Sequence, residues 1–221
     1  MRQSEQNVKS LLVTYSIFAI AMAYLESAIV AYLRALYYPD GFEFPLHIIV
    51  DQYGFIEIGR EAATLIMLWF AARMASSYFK ERFTLFVFLF GVWDLFYYFW
   101  LKVFLNWPTS WLEWDILFLI PAPWTSPWLA PALVSVGFVV TAFIVITRLN
   151  EFPEYIFSRT EWLLEVAAAL IILGSFFWEV FDVMAGEVPE YYPWWLFFIG
   201  YALAISVFIR RLRLNKQTKS V

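Results

Sequence analysis

The chain has 221 residues, of which 62% are hydrophobic and 22% aromatic, with a formal net charge of −4 and a mean hydropathy of +0.67. Globular chains run to roughly 45–50% apolar, so this composition argues against a water-soluble domain and for an integral membrane protein. Cysteine is absent, which removes disulfides, thiolate nucleophiles, Fe–S clusters and cysteine-type zinc sites, and the acidic balance gives no footing for nucleic acid.

At about 20 apolar residues per crossing, the length suits five to seven helices with short loops. Apolar runs of that size are expected near 11–36, 56–75, 83–104, 128–146, 162–183 and 193–209. They are continuous rather than alternating, which favours helices over a transmembrane barrel. The expected fold is an all-α bundle of six transmembrane helices forming a single domain over 1–221, with short cytoplasmic tails at 1–10 and 210–221.

The first run opens like a secretory leader, "LLVTYSIFAIAMA", ending on the small-x-small pattern Ala21-Met22-Ala23. Its apolar character continues to Leu36, however, and Glu5 weakens the basic segment expected before a leader. A retained span is therefore expected.

Basic residues fix an orientation. Arg2 and Lys9 precede the first span, Arg73, Lys80 and Arg82 join the second to the third, Arg148 and Arg159 join the fourth to the fifth, and five more close the chain. Twelve of the 15 Lys and Arg thus fall on one side, while the opposite loops carry Asp40, Glu43, Asp51, Glu113, Asp115, Glu187 and Glu190. By the positive-inside rule both termini are cytoplasmic, in a plasma or inner membrane.

The second span holds "EIGREAATLI", an unusual density of charge for an apolar helix. At about 100° per residue, Glu57, Arg60 and Glu61 share one arc, with the two acids one turn apart. Glu26 in the first span, Asp94 in the third and Glu179 in the fifth lie toward the same non-cytoplasmic half. A charge at the bilayer centre costs about 2.5–3.5 kcal/mol on insertion scales, so these groups should face one another. The expected ion- or ligand-binding set is Glu26, Glu57, Arg60, Glu61, Asp94 and Glu179. Tyr97 and Tyr98 are placed to donate to Asp94, and Ser175 lies one turn below Glu179. Arg34, Lys102 and Asp182, near the outer boundary, support the set or snorkel into the headgroups. Glu161 and Glu165 read as solvated or dipole-compensating acids at the cytoplasmic start of the fifth span.

Between the third and fourth spans runs "NWPTSWLEWDILFLIPAPWTSPWLAP", too apolar for a solvated connection and too proline-rich for a long helix. It reads as a re-entrant or interfacial segment, able to lie over the acidic cluster. Nine of the 12 tryptophans, Trp100, Trp107, Trp111, Trp114, Trp124, Trp128, Trp178, Trp194 and Trp195, fall at or beyond the outer span ends as an aromatic belt. Gly59, Gly91, Gly137, Gly174 and Gly200 put one glycine in each of spans two to six, as close helix contact requires.

Several chemistries lack their residues. His47 is the only histidine and lies in an outer loop, which leaves haem, His-rich metal sites and His-dependent nucleophiles unsupported. Span six has no lysine for a retinal Schiff base, and no phosphate-binding glycine loop occurs. The cofactor is unknown, with a hard divalent cation compatible with the carboxylates. The first functional expectation is proton- or cation-linked transport or binding of a small or amphipathic ligand. The second is a membrane enzyme that uses carboxylates on a lipid-like substrate. The third is a non-catalytic subunit whose polar stripes meet a protein partner. The lipid bilayer is the expected surrounding in all three.

Overall fold

A computed structural model describes residues 5–39, 42, 52–148 and 157–217. Among these the elements are α1 (Glu5–Tyr37), α2 (Gln52–Ala75), α3 (Phe79–Leu105), β1 (Trp114–Phe118), β2 (Trp124–Pro127), α4 (Leu129–Arg148), α5 (Arg159–Phe176), α6 (Val180–Met184) and α7 (Trp194–Gln217). His47, Asp40, Glu43 and Asp51 lie outside the described residues.

Four helices are long and apolar enough to cross a membrane: Val8–Tyr37, Phe79–Leu105, Leu129–Arg148 and Trp194–Leu214. The other two expected spans form helices of 24 and 18 residues but carry more charge. Glu57, Arg60, Glu61 and Arg73 fall within α2, and Arg159, Glu161 and Glu165 within α5.

The fifth expected span is not continuous. Helix α5 starts on a full capping box, in which the Glu161 N–H donates to Ser158 Oγ at 3.2 Å and the Ser158 N–H to Glu161 Oε2 at 2.7 Å. It ends at Phe176, and the five-residue α6 follows after a turn. In the last turn of α5 the Ser175 hydroxyl donates back to the Ile172 carbonyl at 2.6 Å and meets the Tyr192 hydroxyl at 2.9 Å. Back-bonding of this kind bends helices. Glu161, expected as a solvated or dipole-compensating acid, takes the second place: it completes the cap of α5, meets Arg211 of α7 at 3.8 Å and is 6% exposed.

Helices α1, α2 and α4 pack against α3, and α5 packs against α7. The result is two lobes, α1–α4 and α5–α7, that touch sparingly through α4 and α7. Two glycines set the tight contacts. A Cβ on Gly91 would lie 2.8 Å from the Ser135 carbonyl oxygen of α4, and one on Gly200 would lie 2.9 Å from the Ala168 carbonyl oxygen of α5. Gly59 does not serve packing, since nothing lies within 4 Å of the Cβ it lacks.

The proline-rich connection is a β-hairpin. Strand β1 pairs antiparallel with β2, Asp115 opposite Ser126 and Ile116 opposite Thr125, with an irregularity between Ile116 and Phe118. Aromatic and β-branched residues suit a strand here, and the prolines are confined to the turn and the end of β2. Asp115, Thr125 and Ser126 are all buried, Thr125 on the face opposite to the other two.

The hairpin marks one end of the bundle. At the other end the Phe83 and Trp162 rings meet at 5.9 Å, which brings together the starts of α3 and α5, and the Glu161–Arg211 pair adds the end of α7.

Candidate functional site: a carboxylate-lined cavity under the hairpin

A cavity of about 200 Å³ opens at the hairpin end, walled by α1, α2, α3 and β1. Its lining includes Glu26 and Arg34 from α1, Glu57, Arg60 and Glu61 from α2, Asp94, Tyr97 and Tyr98 from α3, and Asp115 from β1. Five of the six expected site residues therefore surround one space. The helical spacing of α2 carries Glu57, Arg60 and Glu61 into it together, and the N-terminal third of α2 is polar for that reason.

Arg60 is the hub. Its Nε donates to Glu57 Oε2 at 2.7 Å and its Nη1 ion-pairs with Glu26 Oε1. The second Glu26 oxygen accepts from the Thr64 hydroxyl at 3.1 Å, so Glu26 is 8% exposed and fully engaged. One guanidinium thus neutralises part of two carboxylates on neighbouring helices.

Arg34 and Asp115 form a second pair, Nη2 donating to Oδ1 at 3.1 Å. The guanidinium lies over the Trp107 ring at 3.9 Å and the Phe42 ring at 4.3 Å. Stacked contact of this sort suits a weakly hydrated guanidinium. Arg34 is 8% exposed and lines the cavity, the first of its two expected places, and Asp115, read only as an acid of an outer loop, is 2% exposed. Trp107, assigned to the aromatic belt, is buried against this arginine. Asp115 was missed as a site residue because its counter-charge is 81 positions earlier in the chain. The one available signal was an acid inside an apolar run, Trp114-Asp115-Ile116.

Glu61 and Asp94 differ from the other acids. Glu61 accepts the Leu119 N–H with both oxygens, at 3.1 and 2.9 Å, which ties α2 to the hairpin. Asp94 Oδ2 accepts the Ser135 hydroxyl of α4 at 2.8 Å. Among the described residues neither has an ion-pair partner; their donors are neutral. Tyr98 faces Asp115 rather than serving Asp94 alone.

The remaining expected members are elsewhere. Glu179 follows the break after α5 and is absent from the cavity lining, because its predicted face assumed an unbroken helix. Asp182 is exposed on α6. Ser175 pairs with Tyr192, as above. Lys102 Nζ donates to the Asn106 and Pro108 carbonyls at 3.2 and 2.9 Å, closing the last turn of α3. Among the described residues no group of three or more metal-ligating side chains has metal-site geometry.

The loop beside the cavity is held by Glu113, whose carboxylate accepts from the Thr109 N–H, the Thr109 hydroxyl at 2.8 Å and the Ser110 N–H at 3.1 Å. Burial pushes this carboxyl up, but the hydrogen bonds outweigh it and hold Glu113 below its usual value.

Beyond the cavity the packing is apolar. One to two turns further from the hairpin the same helices supply Ala19, Ala23, Leu68, Ala71, Leu85 and Leu89, all buried in one cluster.

Mostly helical, with four helices fit to cross a bilayer, the chain has the build of a membrane protein. Comparison with protein-family models, curated proteins and solved structures finds no match.

Proposed function

We propose that the chain is a six-pass protein of the plasma or inner membrane, both termini cytoplasmic, whose hairpin-end cavity binds a proton- or cation-bearing small ligand. In this reading α2 and α5 join the four apolar helices as spans, α2 turning its charge into the cavity and α5 keeping its charge near the basic end. The hairpin lies at the non-cytoplasmic surface, since twelve of the 15 basic residues belong to the opposite side.

The carrying observation is the charge balance around the cavity. Among the described residues, Glu26, Glu57, Glu61, Asp94 and Asp115 line it against Arg34 and Arg60. Each guanidinium is already committed, which leaves Glu61 and Asp94 as the carboxylates able to take a proton or an incoming cation. Binding is better supported than passage. Beyond the cavity the buried cluster of α1, α2 and α3 is apolar, and passage through it requires that packing to part.

Calorimetric titration of the purified protein with Na+, Mg2+ and Ca2+ salts, with proton release followed in parallel, tests the reading. Glu61→Gln keeps an acceptor for Leu119 but loses the charge, so binding or proton exchange falls by about tenfold or more. Glu161→Gln, at the far end and still able to complete its capping box, leaves it unchanged. Equal, negligible effects of the two variants remove the claim.

A further inference from the structure

A larger opening lies elsewhere. Between the two lobes lies a cleft of about 540 Å³, walled by α3 and α4 on one side and α5 and α7 on the other. Its size falls within the roughly 300–1,000 Å³ of small-molecule sites. The wall is mainly apolar and rich in rings, with Phe83, Phe138, Phe176, Trp124 and Trp162 all facing the space. Water has little to bond there, and a void of this size forfeits the dispersion contacts of its lining.

The hydroxyls and carboxylates in that wall are, with one exception, engaged; the Trp124 indole N–H, in the same wall, has no partner among the described residues. The Thr84 and Thr141 hydroxyls donate to carbonyls of their own helices at 2.8 and 2.7 Å, Tyr201 donates to the Leu133 carbonyl at 2.8 Å, and Ser135 donates to Asp94. Lys80 is exposed at the rim. The exception is Glu165 of α5, half-buried in the cleft wall. No hydrogen bond or ion pair reaches it among the described residues; Arg211, at the same end of the bundle, goes to Glu161 instead.

We infer that the cleft between the lobes is a binding site for a lipophilic cation, with Glu165 as its counter-charge and the surrounding rings as its cage. A carboxylate in an apolar wall is costly until a partner arrives, and a hydrophobic cation supplies both the charge and the buried surface. Aromatic faces add attraction for a cation and none for an anion. Asp94, Leu117 and Phe118 line both this cleft and the hairpin-end cavity, but Asp94 is engaged by Ser135, and Glu165 lines the cleft alone while Glu61 lines the cavity alone.

Tetraphenylphosphonium and tetraphenylborate have the same shape and opposite charge, which makes them the probe pair. Saturable binding is measured by equilibrium dialysis against the full chain in phosphatidylcholine nanodiscs, with empty discs subtracted. The phosphonium binds and the borate does not. Glu165→Gln weakens the phosphonium by about tenfold or more, and Ala169→Phe, one turn along α5 in the same wall, does so by filling the space. Glu61→Gln leaves it within about twofold, so failure of the hairpin-end reading does not mimic failure here. Absence of saturable phosphonium binding, equal binding of borate, an unaffected Glu165→Gln, or equal loss in Glu61→Gln each overturns the proposal.

Discussion

Arg34 illustrates how much a single charge can carry in this molecule. Its guanidinium meets Asp115 at 3.1 Å, lies on Trp107, and joins α1 to the hairpin across 81 positions of sequence. Truncating one member of a buried pair strands the other. Arg34→Ala is therefore expected to cost about 3–5 kcal/mol, whereas the double change Arg34→Met with Asp115→Leu recovers most of the loss. Chemical denaturation in mild detergent compares the three proteins. A single variant as stable as the parent refutes the assignment. None of this pairing was legible in the linear chain, because a long-range partner leaves no local pattern. The α2 set was legible, because Glu57, Arg60 and Glu61 meet through helical spacing alone.

At the scale of elements, the apolar runs located the long helices, since a 20-residue apolar segment has few alternatives, but not all their ends: α1 begins six residues before the expected run, α5 stops seven short of it and α7 runs eight beyond. The hairpin was not legible: a five-residue apolar run such as Trp114–Phe118 fits a strand or a buried coil equally well. Glu179 was misplaced for a related reason, as the turn after Phe176 resets the helical phase on which its face was read. Glycine roles also separate only in three dimensions. Gly91→Ala drives a methyl toward the Ser135 carbonyl, 2.8 Å away in a rigid backbone, and should cost about 1–3 kcal/mol. Gly59→Ala meets nothing and should be neutral or stabilising by up to about 1 kcal/mol. Thermal unfolding of the two variants in the same detergent decides. Equal shifts contradict the packing account.

For the whole molecule, orientation is the claim that most needs a direct test, and the absence of cysteine makes it clean. With six passes and cytoplasmic termini, a cysteine at Ser110 or Glu187 reacts with a membrane-impermeant maleimide in intact cells. One at Ser77, in the α2–α3 turn, reacts only after lysis. Labelling of Ser77→Cys from outside inverts the arrangement and moves the carboxylate cavity to the cytoplasmic side.

The hairpin has one more mechanical implication. Phe118 of β1 contacts Trp124, which in turn meets Phe176 and Phe177 of the α5–α7 lobe, while the adjoining Leu119 amide grips Glu61 of the other lobe. The two lobes, which otherwise touch sparingly, are thus buttoned together at the hairpin end. The same strand borders both spaces, with Leu117 and Phe118 in the lining of each.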